Sequence, residues 1–299
     1  MTPRTGSLEL EAPAKLNLSL SVTGRRDGYH ELTGVWVLLE LADRLLLSAG
    51  ATGLRVAGPA ANGVPADRDA NLAWRGLVAG VGAEPSLAWL ALDKRVPAAA
   101  GLGGGSSDAA AAWRLGRAWS GGTDAPATTD ELAALARLGA DVPFFAAQAA
   151  LAAVSGIGER VAALDAPGRP LEVVLLNPGF GLSTAEVFAE LRPEDWSRAE
   201  WGPRIDAPKL TPGSNDLLAA ARRLRPELDD LMRIVRAAGG DPRLTGSGPT
   251  IYSLSDDPER AAALAAQLAE RLPAGEVRIS LTRTRLQAAS IRATHQEEA

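Results

Sequence analysis

The chain has 299 residues and a formal net charge of −5, and 46% of its residues are hydrophobic. It contains no cysteine and only two histidines. These counts exclude disulfides, thiolate metal sites and a cysteine nucleophile, and they leave too few ligands for a His-rich metal centre. The acidic balance disfavours non-specific binding of nucleic acid, which requires an excess of basic charge. At about 150 residues per domain, the length predicts two domains.

No apolar run of the signal-peptide type follows the N-terminus. No segment approaches the ~20 consecutive apolar residues of a transmembrane helix. We therefore expect a cytoplasmic protein without a membrane partner, whose affinity for any phosphate group must come from a local site.

The first half of the chain is predicted to contain strands followed by helices. Apolar and polar residues alternate between Lys15 and Val22, and this period of two predicts a strand with one buried and one polar face. The Ala-rich run Ser106–Trp119, which follows a Gly-rich turn, predicts a helix. Thr128 and Glu131 have the spacing of a capping box and predict a second helix that ends near residue 139. Further strands are predicted at Gly34–Leu41, Arg44–Ser48, Leu54–Ala57, Leu87–Leu92 and Leu151–Val154.

Pro167, Gly168 and Pro170 interrupt the pattern and predict a domain boundary. We expect an N-terminal domain over residues 1–164, a C-terminal domain over 165–290 and a flexible tail at 291–299. The mixture of helices and strands predicts two α+β domains. In the second domain, strands are predicted at Leu171–Leu176, Thr250–Leu254 and Val277–Arg283, helices at Ser183–Leu191, Asn215–Arg225, Pro226–Ala238 and Pro258–Leu272, and a loop at Arg192–Pro212.

A glycine-rich segment, Val96–Asp108, lies between a predicted strand and a predicted helix. Its four glycines at 101 and 103–105 allow close approach of the backbone and positive φ angles, so successive N–H groups can converge on an anion. The start of the following helix adds unpaired N–H groups and the positive end of the helix dipole. The segment lacks the ending of a Walker loop and the Gly-x-Gly-x-x-Gly dinucleotide pattern. It predicts a cradle for a polyphosphate, and the alternative is a flexible turn before a helix.

Asp141 lies between a predicted helix and the apolar run Val142–Phe145. This position is typical of a helix N-cap, with Pro143 in the first turn of the helix. The alternative is a catalytic base. The two roles are compatible, because a capping carboxylate stays ionised and rigidly placed.

Three further segments could contribute to a site. Lys15 and Asn17 point to the same side of the predicted strand, where a solvated cation is the ordinary interpretation. Tyr29 and His30 follow a turn that contains glycine. They fit either a surface loop or a pair that stacks on and hydrogen-bonds a flat heterocycle. The segment Leu244–Pro249 is a second loop of glycine and serine, which fits a turn as well as a site.

Together these segments resemble the three motifs of the GHMP kinase superfamily, and the run from Gly101 to Asp108 is specific to it. The segment Asp27–Leu32 is similar to the branch whose acceptor is a CDP-linked methylerythritol of the non-mevalonate isoprenoid pathway. The resemblance spans nearly the whole chain. Its matching segments are Pro13–Leu18, Asp27–Leu32, Asp69–Leu72, Lys94–Ala110, Gly139–Phe144 and Thr245–Gly248.

The resemblance implies a two-domain α+β GHMP-kinase fold. Its N-terminal domain would be like domain 2 of ribosomal protein S5, and its C-terminal domain would be ferredoxin-like. The resemblance also implies transfer of a phosphoryl group from ATP to the 2-hydroxyl of the acceptor, with Mg²⁺ held mainly by phosphates and water. No nucleic-acid partner is implied, and we expect a monomer or a weak homodimer.

The resemblance assigns residues by position. Asp141 corresponds to the aspartate that takes the proton from the acceptor hydroxyl. Lys15 corresponds to the lysine that keeps this carboxylate ionised and offsets charge on the transferred phosphoryl group. Residues that match ATP contacts are Asn71, Lys94, Pro97, Gly101, Leu102, Gly103, Gly104, Gly105, Ser106 and Ser107. Residues that match acceptor contacts are Asn17, Thr184, Gly246 and Ser247, together with Tyr29, His30 and Phe188 at the cytosine.

Two alternatives stay open at the level of sequence. Another kinase of the superfamily, acting on homoserine, mevalonate or galactose, would share the glycine loop, but its substrate has no base to stack on Tyr29 and His30. A nucleic-acid-binding module would share the N-terminal fold. The net charge of −5 and the lack of a basic stripe with interleaved aromatic residues disfavour it.

Overall fold

The computed structural model describes residues 6–197, 205–206, 209–210, 212–273 and 275–294. The predicted loop Arg192–Pro212 is therefore described only in part, and residues 295–299 of the predicted tail lie outside the described ranges. Within these ranges, no helix is both long enough and apolar enough to cross a membrane.

Strands and helices occur in both halves of the chain. The strands are β1 (Ser7–Asn17), β2 (Ser21–Arg26), β3 (Tyr29–Ala49), β4 (Gly53–Ala57), β5 (Ala88–Asp93), β6 (Leu151–Gly156), β7 (Arg160–Ala163), β8 (Glu172–Pro178), β9 (Ile205–Asp206), β10 (Lys209–Leu210), β11 (Arg243–Leu244), β12 (Ile251–Ser255), β13 (Val277–Arg283) and β14 (Arg292–Thr294). The helices are α1 (Leu72–Val81), α2 (Gly104–Trp119), α3 (Thr129–Leu135), α4 (Val142–Ala146), α5 (Thr184–Glu190), α6 (Leu217–Leu224), α7 (Glu227–Ala237) and α8 (Pro258–Arg271).

The first sheet is built around the long strand β3, which pairs antiparallel with β1, β2, β5 and β6 along different parts of its length. The register sets Lys15 opposite Leu38 and Asn17 opposite Trp36. Strand β4 is parallel to β5, whereas β7 and β14 extend the sheet antiparallel to β6 and β1. Helices α1 and α2 pack together against this sheet, with Leu77 in the core between them.

The second sheet has the order β11-β12-β8-β13 and is antiparallel throughout. Strand β8 is buried on both faces. Val174 and Leu176 pack among the helices α5 to α8, whereas Val173 and Leu175 pack against Leu16 of the first sheet. This double burial explains why the sequence of β8 is almost continuously apolar. The architecture confirms the predicted two-domain α+β class.

The C-terminal end of the described chain returns to the first sheet. Strand β14 pairs with residues 7–9 of β1, and Arg114 Nη2 donates a hydrogen bond to the Ala289 carbonyl at 2.7 Å. The expectation of a flexible tail from residue 291 is therefore wrong for Arg292–Thr294. The domain bounds 1–164 and 165–290 remain a proposal, with the connection between the two sheets running from Ala163 to Glu172.

The polar face predicted between residues 15 and 22 is not exposed. Lys15, Asn17, Ser19 and Ser21 are each at most 3% exposed, and the strand is broken between β1 and β2. Ser19 Oγ accepts a hydrogen bond from the Val35 amide at 3.1 Å. Ser19 thus has a partner from elsewhere in the fold, whereas Ser21 Oγ is buried without a hydrogen-bond partner among the described residues.

Other differences from the predicted elements are local. The predicted strands at 34–41 and 44–48 are parts of the single strand β3, and the short strands β9 and β10 pair within the predicted loop. Helix α1 is absent from the predicted elements. It begins where Asn71 Oδ1 accepts hydrogen bonds from the amides of Ala73 and Trp74, an N-cap that closes the first turn.

Gly34 of β3 lies directly against the chain between β1 and β2, where a Cβ would sit 2.3 Å from the Ser19 carbonyl oxygen. We expect Gly34→Ala to lower the free energy of unfolding, measured by urea denaturation, by about 1–3 kcal/mol, the range for overpacking a rigid interior. Gly24→Ala is the matched control, because its Cβ would meet only the Glu31 carboxylate at 3.5 Å. Equal stabilities of the two variants would contradict this packing.

Candidate active site

A cavity of about 730 Å³ lies between the two domains. The first domain contributes parts of β1, the hairpin of β2 and β3, the loop before α2 and the start of α4. The second domain contributes α5 and the turn after β11. The structure thus brings distant segments together. The predicted site residues that line the cavity are Lys15, Asn17, Tyr29, His30, Pro97, Gly101, Gly103, Gly104, Gly105, Ser106, Asp141, Thr184, Phe188, Gly246 and Ser247.

The glycine-rich loop forms one wall of the cavity. Gly101 and Gly103 have positive φ angles of 75° and 71°, which residues with a Cβ rarely adopt. Gly103 is also the N-cap of α2 and has no side chain to occupy the first amides of the helix. Helix α2 therefore presents unpaired N–H groups and the positive end of its dipole at the loop. This arrangement suits an anion.

Lys15 connects the glycine-rich loop to Asp141. Its Nζ lies 3.3 Å from Asp141 Oδ2 and donates hydrogen bonds to Asn17 Oδ1 at 2.6 Å and to the Gly101 carbonyl at 3.1 Å. The ammonium also lies 5.0 Å from the centroid of a Trp36 ring, within cation–π range. The lysine side chain is 3% exposed and the Asp141 side chain is 30% exposed. The carboxylate is therefore the member of the pair that a ligand can reach.

Asp141 occupies the predicted N-cap position of α4, and Pro143 lies in the first turn. Its side chain makes no capping hydrogen bond. The prediction of a cap is therefore correct for the position and wrong for the carboxylate, which pairs with Lys15 instead. A carboxylate that is not used by the helix is available for chemistry in the cavity.

Asn17 is held in place by the second domain. Thr245 Oγ1 accepts a hydrogen bond from the backbone N–H of Asn17 at 3.1 Å, and the Tyr252 hydroxyl donates to the backbone carbonyl of Asn17 at 3.0 Å. Complete burial raises the pKa of Tyr252, so its hydroxyl keeps its proton and remains a donor. Asn17 Nδ2 is buried and has no hydrogen-bond partner among the described residues.

Aromatic side chains form another end of the cavity. His30 stacks on Phe188, with ring centroids 5.2 Å apart, and meets Trp196 edge-on at 5.9 Å. Arg25 Nε donates to His30 Nε2 at 2.9 Å, which places the imidazole proton on Nδ1. Partial burial and then the charge of Arg25 lower the pKa of His30, so the ring is neutral at pH 7. Tyr29 is 65% exposed at the edge of this group.

Helix α5, which carries Phe188, is held at both ends. Near its start, Thr184 Oγ1 lies 2.9 Å from Ser247 Oγ across the cavity wall. At its end, Arg223 donates to the Glu190 carboxylate at 2.6 Å and to the Glu190 carbonyl at 2.9 Å. An arginine that binds the last carbonyl of a helix stabilises that end. The aromatic end of the cavity is therefore built on a fixed helix.

Four residues predicted to bind ATP do not line the cavity. Asn71 caps α1, and Leu102 belongs to the hydrophobic core. Ser107 is buried in α2, and Lys94 is paired with two buried carboxylates. The structure does not bring these four side chains to the cavity, because each is used in the interior of the first domain.

Trp36 and Trp196 lie at the site, although no sequence pattern predicts them there. Trp36 lines the cavity beside Lys15, and Trp196 packs on His30. Trp36 reaches the site because it stands opposite Asn17 in the pairing of β1 with β3. That pairing is a long-range contact, and no local sequence pattern contains it.

Among the described residues, no group of three or more His, Asp or Glu side chains is placed to hold a metal ion. The residues that line the cavity include one carboxylate, that of Asp141. Such a small donor set fits a Mg²⁺ ion that arrives with a nucleotide and keeps phosphate and water ligands.

Known proteins share both domains of this chain. The family model of the GHMP kinases N terminal domain matches residues 71–149, and that of GHMP kinases C terminal matches residues 209–274. The 4-diphosphocytidyl-2-C-methyl-D-erythritol kinase of Gluconacetobacter diazotrophicus is 41% identical over 279 residues, covering 86% of this chain and 90% of that protein. The protein of the same name from Thermus thermophilus is 37% identical over 267 residues, covering 85% and 90%.

Solved structures agree with these relationships. The crystal structure of a 4-(cytidine 5'-diphospho)-2C-methyl-D-erythritol kinase matches with a TM-score of 0.71 and 34% identity, covering 92% of this chain and 98% of that one. Homoserine kinase from Cytophaga hutchinsonii shares the fold, with a TM-score of 0.66 and 16% identity over 98% of this chain and 99% of its own. The predicted fold and kinase activity are confirmed. The chain belongs to the 4-diphosphocytidyl-2-C-methyl-D-erythritol kinase family of the GHMP kinases.

Proposed function

We propose that this chain transfers the γ-phosphoryl group of ATP to the 2-hydroxyl of 4-diphosphocytidyl-2-C-methyl-D-erythritol. The observation that carries the proposal is the pairing of Lys15 with Asp141 in a cavity that also contains a phosphate-type loop and an aromatic end. Two relatives named 4-diphosphocytidyl-2-C-methyl-D-erythritol kinase match most of the chain and support the choice of acceptor.

The glycine-rich loop and the start of α2 would bind the phosphates of ATP. The unpaired amides at the start of the helix are donors, and the dipole favours negative charge. The Gly101 carbonyl accepts from Lys15 and lies 3.3 Å from Thr245 Oγ1, so this acceptor is occupied and does not oppose a phosphate oxygen. Mg²⁺ would enter with ATP and offset part of the phosphate charge.

Asp141 would accept the proton of the acceptor hydroxyl while the hydroxyl oxygen attacks the γ-phosphorus. The new O–P bond forms while the bond between the γ-phosphorus and the bridging oxygen breaks, and ADP leaves. Lys15 would pair with the Asp141 carboxylate and offset charge on the phosphoryl group. Asn17 Nδ2, which has no partner among the described residues, would donate to the hydroxyl and orient it.

The aromatic end would hold the cytosine. His30 and Phe188 offer ring faces for stacking, the neutral His30 ring carries a donor at Nδ1, and the exposed Tyr29 ring can cover the base. Thr184, Gly246 and Ser247 contribute polar groups to the wall that would face the rest of the acceptor. This base-binding end separates the proposed substrate from homoserine, mevalonate and galactose.

The test of the proposed function is ADP release measured with four acceptors: 4-diphosphocytidyl-2-C-methyl-D-erythritol, homoserine, mevalonate and galactose. We expect kcat/KM to be highest for the CDP-linked acceptor by at least ~10²-fold, because the other three leave the polar and aromatic groups of the base site unpaired. A comparable kcat/KM with any of the other three would contradict the assignment.

Asp141→Asn removes the proton acceptor and keeps the size of the side chain. We expect kcat to fall ~10²–10⁴-fold, the scale of general-base catalysis, while ATP still binds with unchanged affinity. The control is Asp130→Asn, an exposed aspartate in the first turn of α3, which should leave kcat unchanged. Near-normal turnover of the Asp141 variant would remove this carboxylate from the mechanism.

His30→Ala removes one ring of the aromatic end. We expect KM for the CDP-linked acceptor to rise roughly tenfold, because base–aromatic stacking contributes ~1–3 kcal/mol, and KM for ATP to stay constant. Trp89→Leu, a change at a partly exposed aromatic residue of β5 outside the cavity, is the control. If KM for ATP rises instead, the two nucleotide sites have been exchanged in our assignment.

A further inference from the structure

A buried cluster of three charged side chains lies outside the cavity. It joins Asp43 of β3, Lys94 just after β5 and Asp108 of α2, with side chains 0%, 2% and 3% exposed. Lys94 Nζ donates to Asp108 Oδ2 at 2.6 Å and to Asp43 Oδ2. The proposed reaction does not use any of these groups.

The cluster connects the two ends of the glycine-rich loop. On the entry side, Asp43 Oδ1 accepts hydrogen bonds from the Val96 amide at 2.8 Å and from the Arg95 amide. On the exit side, Asp108 lies in α2, whose first residue is Gly104. A Cβ added to Gly104 would lie 3.4 Å from Lys94 Nζ. The cluster therefore lies directly beneath the loop and holds both of its ends.

The charges of the cluster do not balance if all three groups are ionised. Two carboxylates and one ammonium leave one negative charge in the interior, beneath a loop whose amides are arranged for an anion. An uncompensated buried charge is costly and is normally removed by a proton. Asp108 Oδ1 has no hydrogen-bond partner among the described residues, which disfavours a carboxylate at that position more than a carboxylic acid.

The surroundings of Asp108 favour its protonated form. Burial, opposed by Lys94 and reinforced by Asp43, raises the pKa of Asp108 to about 8. The elements packed around it bring no further cation into this contact. Arg75 of α1 and Arg44 of β3 are exposed, and Lys15 of β1 pairs with Asp141. Helix α4 contains no titratable residue.

We propose that Asp43, Lys94 and Asp108 form a positioning unit for the phosphate loop, and that Asp108 carries a proton at neutral pH, so no net negative charge lies beneath the bound phosphates. This inference rests on the proposed role of the glycine-rich loop as the ATP phosphate site. Its consequence is a pH dependence of ATP binding. When Asp108 ionises at alkaline pH, the cluster gains a negative charge and ATP should bind more weakly.

The test compares the Kd of ATP for the wild type and for Asp108→Asn between pH 6.5 and pH 9.5, measured by titration calorimetry in the presence of Mg²⁺. ATP itself ionises to the same extent in both titrations, so this effect cancels in the ratio of the two Kd values. We expect the ratio of wild type to variant to rise about tenfold across this range, the scale for one charge ~10 Å from a phosphate at an effective dielectric of ~20. Asp93→Asn, at a half-buried aspartate that ends β5, is the control and should show a flat ratio.

A ratio that stays constant for Asp108→Asn would overturn the inference. Failure of the proposed phosphate site is a separate outcome, recognised when Gly103→Ala binds ATP as tightly as the wild type. If Asp108→Asn does not fold, infrared spectra of the wild type with ¹³C-labelled aspartate provide the test. A protonated carboxyl band should be present at pH 6.5 and lost by pH 9.5, and its absence at pH 6.5 would overturn the inference.

Discussion

The proposed site depends on the contacts of one group, the side-chain ammonium of Lys15. It contacts Asp141, Asn17 and the Gly101 carbonyl together, so the proposed base, the residue proposed to orient the acceptor hydroxyl and the glycine-rich loop share one partner. A compact ammonium can serve three partners that converge from different directions, whereas a planar guanidinium requires a wider fork of acceptors. This accounts for a lysine here in a chain whose other lysines are only Lys94 and Lys209.

Closure by the second domain makes the burial of this lysine possible. Thr245 Oγ1 accepts a hydrogen bond from the backbone N–H of Asn17, and a Cβ at Gly101 would lie 2.3 Å from the Thr245 carbonyl oxygen. The two domains are also joined through a shared core, because one face of β8 packs on the first sheet and the other on the helices of the second domain. Both domains therefore hold Asn17 and its neighbour Lys15 in place, and fixed geometry of this kind is how positioning would contribute to the rate of the proposed reaction.

Two lysine–aspartate contacts lie on either side of the glycine-rich loop, and burial gives them different chemistry. Asp141 is 30% exposed, faces the cavity and pairs with Lys15. Asp108 is enclosed and shares Lys94 with a second carboxylate, and its pKa is raised to about 8. The same pair of residue types thus faces the cavity on one side of the loop and is enclosed in the interior on the other.

The sequence by itself determined the features whose causes are local. The glycine-rich turn before α2, the capping box at Thr128 and the strand Val277–Arg283 appear in the structure where they were expected. The resemblance also assigned Lys15 and Asp141 to one site. Only the tertiary structure decided that the polar face around Lys15 is buried and that Lys94 supports the loop from below. The partners of Lys94 lie 51 and 14 positions away. The energy of a buried charge depends on such distant partners, which a local pattern does not specify.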